Sequence, residues 1–467
     1  IRDQPRSRGL GDVYKRQSMD GLVGNYVFYA LRFVADVNEG AEFSEDEVKR
    51  FSSLLGMPTK KIDVALRRFD DVFRKYIVKR CVSYDGIEEC IFTWNTRVPF
   101  RPFPLAMHAT GTVILFEDGK PKELLAFPQH KILNYGKRPG IPEEEVKDEV
   151  PIEVTKRVDG WHITAYYNPV IKEWVFATKY VLRNMYFYSG RLIIDPPTKI
   201  TNPYVEIASK IAEESGLLSK FKGYEGWTFN FVLKGPEPAV TKPPYPLPSD
   251  YPNFKLYLIS ARKPEGTLLT TKESVELIKW EAVPIIEPKR VGELYEEIKN
   301  SLVTRSFIVR LRSEDPVNPP LIELESQRYS DAMMLKYLYR AKSLALLTLD
   351  EVGKEELVNL MEPQYREVTS KIINEVLRIR DLIGSIQSIG DKDRVIGEVL
   401  DELVSINPKL GSIRFGEFKK ALERQNVKRI VKKVLGLALE ESSIVGTAYD
   451  ELVKIRETLD RVLSKYL

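Results

Sequence analysis

Cysteine and histidine are scarce in this chain of 467 residues, which has only two cysteines and three histidines. A structural zinc site needs about four closely spaced Cys or His ligands, and small secreted scaffolds need several disulfides. Here Cys81 and Cys90 stand nine positions apart, and the histidines are scattered. The composition therefore excludes a zinc module and a disulfide-rich scaffold, and we expect no metal site.

Long apolar runs and a large excess of charge are missing too. The longest candidate for a membrane span, residues 21–37, is interrupted by Asn25, Arg32 and Asp36, whereas a span needs ~18 apolar residues. No hydrophobic core of a signal peptide is visible. The 71 basic and 67 acidic residues leave a net charge of +4, which argues neither for nor against nucleic acid as a partner. We expect a soluble, cytoplasmic protein without a membrane partner.

Sequence patterns divide the chain into four stretches, in line with a prior of roughly 150 residues per domain. Residues 1–18 are basic and lack periodicity, which is typical of an adaptor-derived or disordered leader. The other stretches are residues 19–96, 97–330 and 331–467. The proline-rich run 236–252 interrupts two strand-like segments and predicts a long surface loop.

Residues 19–96 have the pattern of three helices followed by a hairpin, whose turn is Asp85-Gly86. This order resembles winged-helix domains, including the archaeal transcription factor E type. In such domains the second helix of the pair often enters a groove of nucleic acid. The resemblance makes Lys60, Lys61 and Arg67 candidates for that contact, and a protein-docking or structural module is the alternative.

The same hairpin predicts that the two cysteines touch. A two-residue turn at Asp85-Gly86 pairs Cys81 with Cys90 at a non-hydrogen-bonded position. The Cα atoms of such a pair approach to roughly 4.5 Å, which is within disulfide range. Cys81 and Cys90 are therefore disulfide candidates, and two buried free thiols are the alternative.

Residues 97–330 alternate strand-like runs with turns and contain few helices, which predicts an α+β domain dominated by antiparallel sheet. One run is expected from Glu153 to Tyr167. Eight short segments follow one another through this stretch: Ala109-Thr-Gly111, Phe127-Pro-Gln-His-Lys-Ile-Leu-Asn-Tyr135, Val154-Thr-Lys-Arg-Val-Asp-Gly160, Phe176-Ala-Thr-Lys179, Thr228-Phe-Asn-Phe-Val-Leu-Lys-Gly-Pro236, Lys255-Leu-Tyr-Leu-Ile-Ser-Ala-Arg262, Arg305-Ser-Phe-Ile-Val309 and Leu321-Ile-Glu-Leu-Glu-Ser326.

In order and spacing, these segments resemble the adenylyltransferase domain of ATP-dependent RNA ligases, specifically the T-even phage RNA ligase 1 family. The resemblance implies a nucleotidyltransferase fold and a three-step reaction. A lysine first takes AMP from ATP, the AMP then moves to an RNA 5′-phosphate, and a 3′-hydroxyl finally displaces it. Each step handles crowded negative charge, so such a site needs cationic side chains and magnesium.

The nucleophile position departs from that family's pattern. Its motif is Lys-x-Asp-Gly, and the matching residues here are Arg157-Val-Asp-Gly160. Arginine stays protonated in proteins and cannot act as this nucleophile. Lys156 is the alternative nucleophile, but on a strand its side chain points to the face opposite that of Arg157.

Other nucleotide-pocket positions depart as well. Thr110 replaces an arginine, Val232 and Arg305 replace glutamates, and Glu323 and Glu325 replace the paired lysines that hold the ATP phosphates. A unit charge about 4 Å from a phosphate charge interacts by ~4 kcal/mol at an effective dielectric near 20, so each reversal weighs heavily against ATP. We therefore expect at least one Arg–Glu ion pair in the former nucleotide pocket. The family's residues are retained at Lys131, Asp159, Gly160 and Lys179.

Residues 331–467 show helical periodicity throughout and occupy the place of the C-terminal helical domain of the phage-type ligases, which helps to choose the RNA. Basic residues cluster near its end and predict a phosphate-contacting stripe, with a simply solvated helix face as the alternative. The contact candidates are Lys419, Lys420, Lys428, Arg429 and Lys432.

Together these patterns predict an α+β protein with an N-terminal winged helix, a central nucleotidyltransferase domain and an all-helical C-terminal domain. The resemblance, with its departures, implies a catalytically degenerate member of the RNA ligase family. Such a protein would need no cofactor and would bind RNA, an active ligase or another protein. The alternative is an active ligase that uses ATP and magnesium, with Lys156 or Lys131 as the nucleophile.

Overall fold

The computed structural model describes residues 24–236 and 253–467. The predicted leader and most of the proline-rich run lie outside this range. The chain divides into two compact units, one reaching Lys299 and including Thr304–Glu325, the other comprising Asn300–Val303 and Ser326–Leu467. Antiparallel sheets dominate the first unit and helices the second, which matches the predicted α+β class. Among the described helices, none combines the length and apolar character that crossing a bilayer requires.

The first unit begins with three helices and a hairpin: α1 Tyr26–Asn38, α2 Glu45–Ser53, α3 Ile62–Lys75, β1 Ile77–Tyr84 and β2 Ile87–Trp94. Phe33 stacks on Phe51, and both belong to an apolar core to which all three helices contribute. Asp85 and Gly86 both have positive φ values, as a tight two-residue hairpin turn requires. The turn chemistry and the aromatic core therefore account for this part of the fold.

A short helix and two more strands extend the same sheet: α4 Pro104–Met107, β3 Thr110–Glu117 and β4 Lys120–Ala126. The sheet is antiparallel, with the order β1-β2-β3-β4. The core beneath the helices also contains Phe103 and Leu105. Both the sheet and this core thus continue past residue 96, and a separate winged helix at 19–96 stays a prediction.

The rest of the first unit supplies two further sheets and a hairpin. Its elements are β5 Leu133–Asn134, α5 Glu143–Val146, β6 Glu153–Lys156, β7 Trp161–Asn168, β8 Glu173–Thr178, β9 Met185–Tyr188, β10 Arg191–Ile194, α6 Pro203–Glu214, α7 Leu217–Lys220, β11 Thr228–Lys234, β12 Lys255–Arg262, α8 Thr271–Ile278, β13 Ile285–Ile286, α9 Val291–Ile298, β14 Ser306–Arg310 and β15 Leu321–Glu325. One sheet has the order β12-β11-β7-β8 and the other β13-β6-β14-β15-β5, while β9 and β10 pair with each other.

The continuous strand expected from Glu153 to Tyr167 is wrong, because β6 ends at Lys156 and β7 begins at Trp161. Gly160 lies in the break, where the chain passes close to β11. A Cβ atom at Gly160 would lie 2.2 Å from the carbonyl oxygen of Leu233. The close backbone approach therefore requires glycine there.

The second unit is helical, as predicted for the end of the chain. Its helices are α10 Tyr329–Leu338, α11 Ala341–Leu349, α12 Lys354–Asn359, α13 Arg366–Ser385, α14 Lys392–Ile406, α15 Phe415–Glu423, α16 Val427–Ala438 and α17 Ala448–Leu463, with 3₁₀ turns at Pro363–Tyr365, Ile386–Ser388 and Pro408–Ser412. Ile372, Val376 and Ile379 of α13 lie in a shared apolar core with Leu452 and Leu459 of α17. The three- and four-residue spacing of these apolar side chains therefore reflects burial of one helix face.

The hairpin β1–β2 has the predicted register, with Cys81 opposite Cys90. The Cα atoms of the two cysteines are 4.1 Å apart, and their sulfur atoms form a disulfide of 2.06 Å. Cys90 is fully buried in the aromatic core, whereas Cys81 is only partly buried. The bridge thus links the edge strand of the first sheet to its neighbour.

We predict that replacing both cysteines by alanine lowers the free energy of unfolding of the first unit by about 2–3 kcal/mol, because the bridge restricts a short loop in the unfolded chain. Urea denaturation followed by tryptophan fluorescence measures the change. Dithiothreitol should destabilise the unaltered protein by a similar amount and leave the double alanine variant unaffected. An equal response of the two proteins to dithiothreitol would contradict the prediction.

Candidate functional site

A cavity of about 310 Å³ is lined mainly by residues from two sheets of the first unit, the five-stranded sheet and the four-stranded sheet β12-β11-β7-β8. β6, β14 and β15 contribute from one sheet, and β7, β11 and β12 from the other. Eight residues singled out from the sequence line this cavity: Thr110, Lys131, Lys156, Arg157, Gly160, Lys179, Val232 and Glu323. The fold thus brings together side chains that are far apart along the chain.

Arg157 and Glu323 form an ion pair in the cavity wall. The Nη1 atom of Arg157 lies 2.7 Å from Oε1 of Glu323, and the Ser306 hydroxyl donates to the same oxygen at 2.8 Å. The Glu323 side chain is only 11% exposed, against 39% for Arg157. The cavity therefore contains an Arg–Glu pair of the expected kind, in which Glu323 accepts two hydrogen bonds.

The remaining predicted pocket residues form ion pairs outside the lining of the cavity. Nη1 of Arg305 lies 2.7 Å from Oδ1 of Asp159, and Nζ of Lys137 lies 2.8 Å from Oε2 of Glu325. Asp159 and Arg305 thus neutralise each other, and the Glu325 carboxylate already has a cation.

Lys156 and Arg157 both line the cavity, although alternation along a strand predicts opposite directions for their side chains. β6 ends at Lys156, so this alternation does not extend to Arg157. The Arg157 backbone N–H still donates to the Ser306 carbonyl at 3.0 Å. The break in the strand therefore explains how two adjacent residues reach the same cavity.

Lys131 and Lys179 are two of the cavity cations that form no ion pair with the described residues. Burial, together with the charges of Lys131 and Arg157, lowers the pKa of Lys179 to about 7. Burial also lowers the pKa of Lys131, while the Glu323 carboxylate raises it. Lys179 is therefore an amine that changes its charge near neutral pH.

Several cavity residues were not singled out from the sequence, including His162, Glu153 and Ser260. Burial lowers the pKa of His162 to about 3, with Lys179 contributing, so its imidazole is neutral. Its Nδ1 atom has no hydrogen-bond partner among the described residues. Glu153 and His162 lie in the strand-like run expected from Glu153 to Tyr167, and Ser260 lies in the segment Lys255–Arg262, so each had a signal for its strand but none for the cavity.

The carboxylates around the cavity do not fit a magnesium site. Glu323 and Asp159 are paired with arginines. Glu153 accepts the backbone N–H groups of Thr271 and Lys272 at 2.7 and 3.0 Å. Magnesium usually binds one or two carboxylates together with substrate phosphates, and these three carboxylates are already engaged.

One cluster among the described residues has metal-ligand spacing, namely Cys81, Glu88 and Cys90. The disulfide joins its two sulfur atoms. Thiolates, not disulfide sulfurs, are the form of cysteine that binds metals. The cluster is therefore no candidate for a metal site.

The candidate nucleic-acid contacts of the first unit lie on and just before α3. Nζ of Lys60 is 3.5 Å from Glu45, and Nη2 of Arg67 is 3.5 Å from Asp63. Lys61 precedes the helix as its N-cap residue. None of the three basic residues lines the cavity. Two of the three cations are thus partly neutralised by nearby carboxylates.

In the second unit, acidic side chains neutralise much of the basic cluster. Lys428 and Lys432 both contact Asp350, at 2.8 and 2.6 Å, and Lys419 lies 2.9 Å from Asp393. Lys420 and Arg429 are exposed and form no ion pair with the described residues. The continuous stripe expected from the sequence is therefore reduced to a few exposed cations.

Comparison with known proteins gives matches among solved structures alone: no protein-family model matches the chain, and no curated protein matches it. An archaeal ATP-dependent RNA ligase matches with a TM-score of 0.38 and 13% identity, over 74% of this chain and 83% of that one. A Naegleria gruberi RNA ligase with PPi matches with a TM-score of 0.27 and 14% identity, over 57% and 99%. Function is therefore inferred from the residues of the cavity.

We predict that Arg157 and Glu323 couple by about 1–2 kcal/mol in the free energy of unfolding, because the pair is partly shielded from water. A double-mutant cycle with Arg157→Gln and Glu323→Gln, measured by urea denaturation, gives the coupling. The exposed pair Lys289–Glu297, with side chains 45% and 46% exposed, is the matched control and should couple by less than about 0.5 kcal/mol. Equal coupling in the two pairs would contradict the prediction.

We also predict that Lys179 makes stability rise with pH. Its folded pKa of about 7 lies below the ordinary value of 10.5, so between these values the unfolded chain binds the extra proton. The cost of burying the ammonium is therefore fully present below pH 7 and declines as the pH rises towards 10.

Urea denaturation of Lys179→Met at pH 7, 8 and 9 measures this effect. The variant should be the more stable protein at pH 7, and its advantage should shrink at pH 9. Lys222→Met, which alters an exposed lysine, should show no such trend. A difference between Lys179→Met and the unaltered protein that is the same at all three pH values would refute the assignment.

Proposed function

We propose that this chain is an RNA-ligase-like protein whose nucleotide cavity has lost ATP-dependent chemistry, and that it acts by binding RNA or by associating with an active ligase. The Arg157–Glu323 ion pair is the observation that carries this proposal. It joins the residue at the nucleophile position to a residue at the phosphate-binding position, at 2.7 Å. Both groups are thereby committed to each other rather than to a nucleotide.

The charges of the cavity support the loss of chemistry. Glu323 places a carboxylate in the wall where the family has a lysine, and two unit charges about 4 Å apart interact by ~4 kcal/mol at an effective dielectric near 20. Arg157 cannot give up its proton to become a nucleophile. The engaged carboxylates Asp159 and Glu153 leave the magnesium of the reaction without its usual ligands.

Two observations support RNA as the binding partner: the eight segments follow the order of the phage family, and the solved structures that match the chain are RNA ligases. The winged-helix interpretation of residues 19–96 and the boundaries at 97–330 and 331–467 belong to the same proposal, as does a cytoplasmic location. Lys420 and Arg429 remain the exposed candidates of the second unit for contact with phosphate.

An active ligase with a rearranged site is the competing function. This function needs a lysine whose amine is deprotonated, because only the neutral amine is a nucleophile. Burial lowers the pKa of Lys131, which favours its deprotonated form. Lys156, the other candidate, also lines the cavity.

We predict that the purified protein forms no covalent AMP adduct when incubated with α-labelled ATP and magnesium or manganese. A denaturing gel detects the adduct, and an active RNA ligase serves as the positive control. The absence of label follows from the nucleophile position and the engaged carboxylates. A labelled band that disappears in Lys131→Ala or Lys156→Ala would overturn the proposal and identify the nucleophile.

Equilibrium dialysis with labelled ATP tests the cavity without requiring chemistry. Glu323→Lys should bind ATP at least tenfold more tightly than the unaltered protein, since it replaces an unfavourable charge by a favourable one. Glu297→Lys makes the same charge change at an exposed site outside the cavity and should have little effect. Equal gains in both variants would show that the cavity charge does not decide binding.

A further inference from the structure

A groove of about 620 Å³ lies on the first unit, lined by residues other than those of the cavity. Its floor and walls include Val78, Arg80, Thr93, Arg97, Tyr180 and Phe187. Its size is within the roughly 300–1,000 Å³ of ligand sites. None of the described residues that line it is acidic.

The groove exists because one face of the first sheet is only partly covered. Val82 and Ile91 pack on that face against Leu182 and Met185. Farther from the turn, Val78 and Thr93 are opposite each other in the same sheet and face the open groove. β1 is an edge strand, so no further strand closes that side of the sheet.

Arg80 lies at the boundary between the covered and the open part of this face of the sheet. Its Nη1 donates to the carbonyl oxygen of Tyr180 at 2.8 Å, and its guanidinium carbon lies 5.3 Å from the centroid of the Phe187 ring. These contacts hold two aromatic residues at the edge of the groove. Tyr180 is 41% exposed and Phe187 is 49% exposed, so both keep ring surface in contact with water.

The polar groups of the groove complement these rings. Arg97 is exposed and forms no ion pair with the described residues. Thr93 is only 1% exposed, and its Oγ1 atom has no hydrogen-bond partner among the described residues. Since a buried hydroxyl without a partner is costly, this atom indicates a ligand that supplies one.

We propose that this groove binds single-stranded nucleic acid, with bases stacked on Tyr180 and Phe187 and phosphates held by Arg80 and Arg97. Exposed aromatic rings beside guanidinium groups are the two features that single strands require. A base within a duplex already has neighbours on both faces and cannot stack on a protein ring. The inference deepens the RNA-binding part of the proposed function and is independent of the lost ATP chemistry.

The groove and the cavity are connected through adjacent residues. Lys179 lines the cavity and Tyr180 lines the groove. The Lys179 Nζ atom lies 5.9 Å from the centroid of the Tyr180 ring. A strand in the groove would therefore pass the residue pair that also borders the cavity.

Fluorescence anisotropy with a labelled oligouridylate of about 10 nucleotides tests the proposal on the full chain. Phe187→Ala and Arg97→Glu should each weaken binding about tenfold. Tyr188→Ala removes a ring that is 67% exposed on the same strand but does not line the groove. Arg312→Glu reverses an exposed charge elsewhere in the unit. Both controls should stay within twofold of the unaltered protein.

A second measurement needs no variant. Photocrosslinking with a 4-thiouridine oligonucleotide, followed by peptide mapping, should identify peptides that contain Tyr180 or Phe187.

A salt titration gives a third measurement. The affinity of Arg97→Glu for the oligonucleotide should fall less steeply with salt concentration than that of the unaltered protein, because one phosphate contact is lost.

The outcomes separate the groove from the broader function. Binding of the oligonucleotide that is unchanged in both groove variants, with crosslinks elsewhere, would overturn the groove and leave RNA binding intact. Absence of any binding would overturn both. Equal affinity for a matched duplex would also overturn the assignment to single strands.

Discussion

The buried guanidinium of Arg262 holds together the segments from which the cavity is built. Its nitrogens donate to the carbonyl oxygens of Phe127 and Val317 at 3.1 and 2.7 Å and contact the His130 ring at 3.1 Å. Arg262 is fully buried, and burial lowers its pKa to about 9. A buried cation is costly unless its hydrogen bonds are satisfied. These acceptors therefore keep the segment that contains Lys131 against β12.

Ion pairs satisfy the arginines in and beside the cavity of this framework. Arg157 pairs with Glu323 in the cavity wall, and Arg305 pairs with Asp159 outside the lining. An isolated charge at any of these positions would carry a desolvation cost, and paired charges reduce it. Lys179 bears such a cost, and its pKa falls to about 7 in response. The Arg157–Glu323 pair thus lowers the cost of burying two charges in the cavity wall, while Lys131, Lys156 and Lys179 line the same cavity.

Part of the groove is formed by the hairpin β1–β2, which lies before the cavity-lining segments in the sequence. The hairpin β1–β2 supplies Val78, Arg80 and Thr93, while Tyr180 and Phe187 come from the chain after β8. The Arg80 contact with the Tyr180 carbonyl joins the two parts. Aromatic rings and guanidinium groups are thereby concentrated on one surface, next to a cavity whose wall contains the Arg157–Glu323 ion pair.

Patterns of neighbouring residues in the sequence were enough to predict the local features of the fold, namely turns and helices. The Asp85-Gly86 turn placed Cys81 opposite Cys90, and helical spacing defined the second unit. The order of the segments also indicated that Lys131, Arg157 and Glu323 belong to one cavity. Tertiary structure alone decided that β6 ends at Lys156, that the first sheet continues past residue 96, and that Asp350 neutralises Lys428. These features rest on strand pairing and ion pairs between residues distant in sequence, and no local pattern encodes such contacts.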